Sequence, residues 1–324
     1  MQVQALTKIM VIWEKNAYFE TMMQLPPYLS TGDKVGIAAP ARWVEKGDME
    51  YFIEAAGRQG WSVAPGSIYS RYNQFSGKDE DRLRDLQLML DDPEIKAIFC
   101  ARGGYGTARL LAGIDLNAFA VNPKWIAGFS DITALHSCIL MKTGKAVLHS
   151  AMPYTIRDVT NMDDLGLESL FGVLRGEFPN YEVTPDHLNR IGRGRGILLG
   201  GNLSVLYSLT GTDYQLPTRG AILFLEDVDE YLYHIDRMIQ NLKMAGMLEH
   251  LNGLIVGGMT EMRDNKIPYG KNAYEIIREA VEPYEFPVCF GFPAGHTSPN
   301  LSMVFGRQVD LEVKSETVRM DYIV

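Results

Sequence analysis

The chain has 324 residues, 46% of them hydrophobic and 22% charged, with a formal net charge of −9. That length is more than one core usually serves, so two domains are expected, and the acidic balance argues against a nucleic-acid partner, which would call for a basic face. No apolar stretch reaches membrane-spanning length, and Cys100, Cys138 and Cys289, far apart and each in an apolar context, read as buried thiols of a reducing compartment.

Residues 1–28 read as a leader extension of unknown role. Lys8, Glu14, Lys15 and Glu20 interrupt the apolar block that a signal peptide needs, so the expected compartment is the cytoplasm. Residues 29–155 alternate short apolar runs with helical patterns. DKVGIAAPA (33–41) reads as a strand, and GDMEYFIEAAGRQG follows as a helix with Met49, Phe52, Ile53 and Ala56 at helical spacing. WSVAPG is a strand, and DEDRLRDLQLMLDDPE a helix whose first turn is acidic. IKAIFCA is a strand, RGGYGTARLLAGI a glycine turn into a helix, and KWIAGF a further strand. This alternation predicts an α/β domain with a parallel sheet flanked by helices.

Between residues 156 and 194 the pattern weakens and Pro, Asn, Asp and Gly accumulate, so the domain connection is placed there. RIGRGRG (190–196) reads as a flexible part of it. Residues 195–324 then carry the strand-like runs GAILFLEDV, LNGLIVGGM, PVCFGFPAG and QVDLEVKSETVRMDYIV, with the helix YHIDRMIQNLKMAGML among them. Val309, Leu311 and Val313 alternate with polar residues, as in a half-exposed strand.

Four stretches carry chemistry. In KWIAGFSDITALH, Ser130 lies between an apolar strand and a helix start. A serine there is ordinarily an N-cap, but strand–turn–helix is also the geometry of a nucleophile elbow, in which the following N–H can face an oxyanion. The G-x-S-x-G signature is incomplete, because position 132 is Ile. ARGGYGTARLL (101–111) is a second strand-to-helix turn. It lacks the Gly-Lys-Ser/Thr ending of a phosphate loop and the dinucleotide fingerprint, leaving main-chain donors for an oxyanion and Arg102 for a substrate carboxylate.

Glu226 ends the apolar run of LFLEDVDEYLYHIDRM, ahead of Asp227, Asp229 and Glu230; strand ends hold site residues in α/β folds. His234 reads as a packing or hydrogen-bonding residue. His296 sits in a Pro/Gly-shaped loop, FGFPAGHTSPN, which can present an imidazole as general base. His136, His149, His187 and His250 show no ligand spacing, and neither H-E-x-x-H nor Cys-x-x-Cys occurs, which disfavours metal hydrolysis. A hydroxyl, a carboxylate and an imidazole compose a triad recognised by roles rather than by order, with oxyanion donors beside it.

From about Leu29 onward the chain resembles the LD-carboxypeptidases (muramoyltetrapeptide carboxypeptidases), whose relatives include the microcin C immunity peptidases. The resemblance rests on VGIAAPA, ARGGYGTARLL, GFSDITALH, GGNLSVLYSLTGT, LFLEDVDEYLYHIDRMIQNLKMAGML and GFPAGH. It implies a flavodoxin-like N-terminal domain carrying the nucleophile and a smaller C-terminal β/α domain carrying the other two triad members. It places the triad on Ser130, Glu226 and His296 and the oxyanion donors on the N–H groups of Gly104 and Asp131. It further implies a serine carboxypeptidase of peptidoglycan recycling that cuts the L,D-bond of murein tetrapeptide to release D-alanine, working as a homodimer without metal or cofactor. Three other readings stay open: an immunity-type peptidase acting on a peptidyl or aminoacyl nucleotide, a glutamine-amidotransferase-like or other flavodoxin-like binding module that has lost catalysis, and a nucleotide-binding protein that uses RGGYG, which the missing lysine disfavours.

Overall fold

The computed structural model describes residues 23–156 and 164–323. Most of the leader and part of the expected connection, residues 1–22 and 157–163, lie outside the described residues. Two sheets carry the fold. The first has six strands: β1 (Lys34–Ala38), β2 (Ser62–Pro65), β3 (Ile95–Cys100), β4 (Trp125–Gly128), β5 (Val147–His149) and, from far down the chain, β11 (Met303–Phe305). Their order is β11-β5-β4-β3-β1-β2, parallel throughout except for β11, which pairs antiparallel with β5. The parallel part has the flavodoxin order, with its reversal beside β1 and β3, where such folds place ligands at the carboxyl ends of the strands. The strands are near-continuous apolar runs, as they must be when helices cover both faces.

Helices α1 (Gly47–Arg58), α2 (Asp79–Asp91), α3 (Asn117–Val121) and α4 (Thr133–Thr143) belong to this half. The expected helix after RGGYG is only a pair of 3-10 turns, Thr107–Arg109 and Leu111–Gly113. The stretch expected to connect the domains holds helix α5 (Asp164–Leu174), whose Phe171 packs edge-on against Trp61 (5.2 Å), and strand β6 (Tyr181–Val183).

The second sheet is mixed. Its order is β10-β9-β8-β7-β12-β13-β6, with β7 (Gly192–Asn202), β8 (Ile222–Val228), β9 (Gly253–Thr260) and β10 (Val288–Cys289) parallel. Strands β12 (Gln308–Val313), β13 (Val318–Tyr322) and β6 continue it antiparallel. Helices α6 (Leu203–Leu209), α7 (Leu232–Met244) and α8 (Ala273–Ala280) complete this half.

RIGRGRG is a correction. The run from Gly192 is the start of β7, not a flexible link. Its glycines are there for close approach: a Cβ on Gly194 would strike the carbonyl of Asn252, and one on Gly196 the carbonyl of Gly220. The intervening Arg193 and Arg195 point to solvent, and Arg193 forms a two-point ion pair with Asp310 across the ladder (2.9 and 2.7 Å).

The two sheets meet over a ring cluster. His149 on β5, Phe224 on β8 and Phe305 on β11 are fully buried, with centroids 5.0, 5.4 and 6.1 Å apart. Burial pushes His149 well below the ordinary histidine range and His136 to about 3, so both are neutral core residues. All three cysteines are buried.

Candidate active site

The β4 turn is built around one strained residue. Ser130 has φ +61°, a left-handed conformation in a residue with a Cβ. The helix-cap reading is not what forms: Phe129 precedes the single 3-10 turn Ser130–Ile132, Ile132 precedes α4, and neither junction carries a side-chain cap bond. Ile132 stands where the second glycine of an elbow would be; its side chain packs onto Gly128, where a Cβ would meet it at 3.1 Å. The room usually left by two glycines is thus supplied by one. A left-handed non-glycine costs about 1–3 kcal/mol and persists where the surroundings over-determine it, commonly at active sites.

The glycine loop after β3 is fastened to this turn. The buried Asp131 carboxylate accepts the Thr107 N–H at 2.8 Å, and burial raises its pKa against the pull of that bond. From below, the buried guanidinium of Arg82 donates to the carbonyls of Pro40 and Gly106 (the latter at 3.1 Å) and pairs with Asp79 (2.5 Å). Gly103 then lies directly on the serine: a Cβ there would stand 3.0 Å from Ser130 Cβ and 3.1 Å from its Oγ.

From the other sheet, β8 delivers Glu226, whose side chain is fully buried. Its Oε2 faces His296 Nδ1 at 2.6 Å and also accepts the main-chain N–H of His296 at 3.1 Å. Gly295, at φ +93°, makes this approach possible; any Cβ would lie 2.5–2.6 Å from Glu226 Cγ, Cβ and Oε2. Burial works to lower the His296 pKa, but the adjacent Glu226 charge and hydrogen bond outweigh it, so the ring ends above its ordinary value. The ring also lies 4.8 Å from that of Phe129, the residue before the serine.

Ser130, Asp131, Gly103, Gly104, Arg102 and His296 line one cavity of about 530 Å³, with Glu226 sealed behind the imidazole. The six residues singled out in the sequence therefore fall around one place. Ser130 and His296 both line the cavity but are not hydrogen-bonded to each other. Arg102 lines the wall with its guanidinium 3.9 Å from the centre of the Tyr154 ring.

Sequence reasoning missed three residues of this wall. Asn202 caps α6 by accepting the Val205 N–H and donates to Asp227 at 2.9 Å. Its own N–H reaches Thr133 Oγ1 of the first half at 3.0 Å. Asp227 is buried, and burial together with the neighbouring Glu226 raises its pKa to about 7. The third is Arg42, at the end of VGIAAPAR. An Asn directly before an apolar helical run was a readable cap signal for Asn202, whereas nothing local marks Asp227 or Arg42. Among the described residues no group of three or more His, Cys, Asp or Glu is gathered for a metal ion, and no helix is long and apolar enough to cross a membrane.

A two-sheet α/β fold with a strained serine on one half and a carboxylate-bound histidine on the other has the parts of a serine hydrolase. The family models agree: LD-carboxypeptidase N-terminal domain matches residues 35–150 and LD-carboxypeptidase C-terminal domain matches residues 195–311. The chain belongs to the LD-carboxypeptidase family. It is 34% identical over 303 residues to a "Probable murein peptide carboxypeptidase" of Bacillus subtilis, covering 90% of this chain and 92% of that one. It is 26% identical over 332 residues to the "Microcin C7 self-immunity protein MccF" of Escherichia coli, covering 91% and 95%. The crystal structure of muramoyltetrapeptide carboxypeptidase from Oxalobacter formigenes superposes with a TM-score of 0.81 at 26% identity, covering 89% of this chain and 98% of that one.

Proposed function

We propose that the protein is a serine peptidase that removes the terminal D-alanine of murein tetrapeptide by cutting the L,D-bond. The observation that carries this reading is the buried Glu226 carboxylate 2.6 Å from His296 Nδ1, with His296 and Ser130 lining the same cavity. The similarity to murein peptide carboxypeptidases supports the choice of substrate.

In this mechanism the bound peptide draws Ser130 Oγ and His296 Nε2 into hydrogen-bond reach, as catalytic contacts commonly tighten on binding. Nε2 takes the hydroxyl proton while Oγ attacks the scissile carbonyl carbon. Glu226 holds the ring by its Nδ1–H and stabilises the imidazolium that forms. The N–H groups of Gly104 and Asp131 receive the carbonyl oxygen as it becomes an oxyanion, each worth about 3 kcal/mol of barrier. The imidazolium then gives its proton to the departing D-alanine nitrogen, leaving an acyl-serine. Water, deprotonated by the same imidazole, attacks the ester and returns the free serine.

Incubation of the purified protein with murein tetrapeptide tests this. Release of free D-alanine, lost in Ser130→Ala with the fold intact by circular dichroism, is the expected result. No release, with cleavage of a peptidyl adenylate instead, moves the protein to the immunity-type activity. A Ser130→Ala variant as active as wild type overturns the triad itself.

A further inference from the structure

We propose that Arg42 is the residue that receives the free C-terminal carboxylate of the peptide and so makes this site a carboxypeptidase's. The inference rests on the peptidase reading above. A peptidase that removes only the last residue has to recognise a negative charge one residue beyond the bond it cuts, and a guanidinium is the side chain best shaped for it.

Two arginines line the cavity, Arg42 and Arg102. Arg102, the one its motif points to, lies over the Tyr154 ring and helps form the wall. Arg42 is exposed, and among the described residues its guanidinium has no carboxylate or other hydrogen-bond partner. The acidic groups across the cavity do not hold it. Asp229 is ion-paired with Arg263, Glu230 contacts His234 at 2.6 Å, and Asp227 is buried and bound by Asn202 and the Ser204 N–H. In a chain of net charge −9 this is an unspent positive charge beside the nucleophile.

Its position fits the length of one residue. Gly103 lies against Ser130, at 3.0 Å from a Cβ built on it, while the next residue, Gly104, lies under the stem of Arg42, with Nε 3.2 Å from its would-be Cβ. Consecutive Cα atoms stand about 3.8 Å apart. A peptide whose scissile carbonyl is at Ser130 extends its terminal residue by about the step that separates Gly103 from Gly104, which brings its carboxylate toward Arg42. Gly104 also serves here as the floor under that stem, since any side chain would displace it.

The test compares murein tetrapeptide ending in D-alanine with the same peptide ending in D-alaninamide. Wild type is expected to prefer the acid, and Arg42→Ala to lower kcat/KM on the acid about 10- to 100-fold, the range of a charge-assisted hydrogen bond, mostly through KM. Its acid-to-amide preference should collapse toward one, and Arg42→Lys should restore part of it. An Arg42→Ala enzyme that keeps the wild-type preference overturns the assignment. Calorimetry on Ser130→Ala gives a readout independent of turnover: the acid should bind more tightly than the amide, and Arg42→Ala in that background should equalise them. Equal affinities before that second change would sink the Arg42 assignment, whereas failure of wild type to cleave either peptide would sink the peptidase reading alone.

Discussion

One oxygen of Glu226, Oε2, holds His296 twice: by the ring at Nδ1 (2.6 Å) and by its own main-chain N–H (3.1 Å). The other oxygen is buried without a partner among the described residues. Among the described residues the carboxylate therefore bonds to this one histidine, which holds the angle of the ring.

Glu226→Gln should lower kcat/KM about 10³- to 10⁴-fold, because a neutral amide no longer selects the productive tautomer or stabilises the imidazolium. It should also move the acid limb of the pH–rate profile. In wild type that limb lies above the ordinary histidine pKa, since Glu226 outweighs burial, and activity rises with pH as His296 loses its proton. Without that charge, only the smaller pull of Asp227 and Glu261 opposes burial, and the limb should shift to lower pH. A pH profile of kcat/KM for both enzymes reads this, and an unmoved limb contradicts the pairing.

Ser130→Gly should be inactive yet more stable than wild type by about 1 kcal/mol. Glycine adopts φ +61° without the Cβ penalty that serine bears, and this gain exceeds glycine's extra freedom in the unfolded chain. Urea unfolding of Ser130→Gly beside Ser130→Ala, which keeps the strain, separates the two effects. A glycine variant no more stable than the alanine one argues that the turn is relaxed.

Phe305→Ala should cost about 3–5 kcal/mol, the range for removing a buried phenylalanine. The ring is fully buried among His149, His136 and Phe224, at the contact between the sheets. Denaturant midpoints measure the loss. Because the ring cluster also backs Phe129 and through it His296, D-alanine release should weaken even where the protein remains folded.

Much of the first sheet was legible because its runs are plain: KVGIA, IKAIFC and WIAG are apolar strands bounded by turn residues. Ser130, Glu226 and His296 could be grouped only once several long motifs were taken together, since Ser130 alone reads as a cap and its strain is a backbone property that no residue type announces. β11 escaped because three residues inside a Pro- and Gly-bounded loop carry too little pattern. RIGRGRG misled because its glycines answer to the carbonyls of Asn252 and Gly220, distant in the chain. α8 was overlooked despite a local signal, the capping box between Asn272 and Glu275. Arg42 is set against Gly104, and Asp227 against Asn202 and Ser204, partners distant in the chain that no local window contains.

Met303–Phe305, encoded near the end of the chain, closes the open side of a sheet laid down by its first half. During synthesis the bare edge at Val147–His149 has to wait until the parallel strands of the second sheet have been made before its neighbour arrives, and unpaired edges of that kind invite wrong partners. The same delay applies to Glu226 and His296, which follow Ser130 off the ribosome. Pairing across so long a separation is a non-local and therefore slow event.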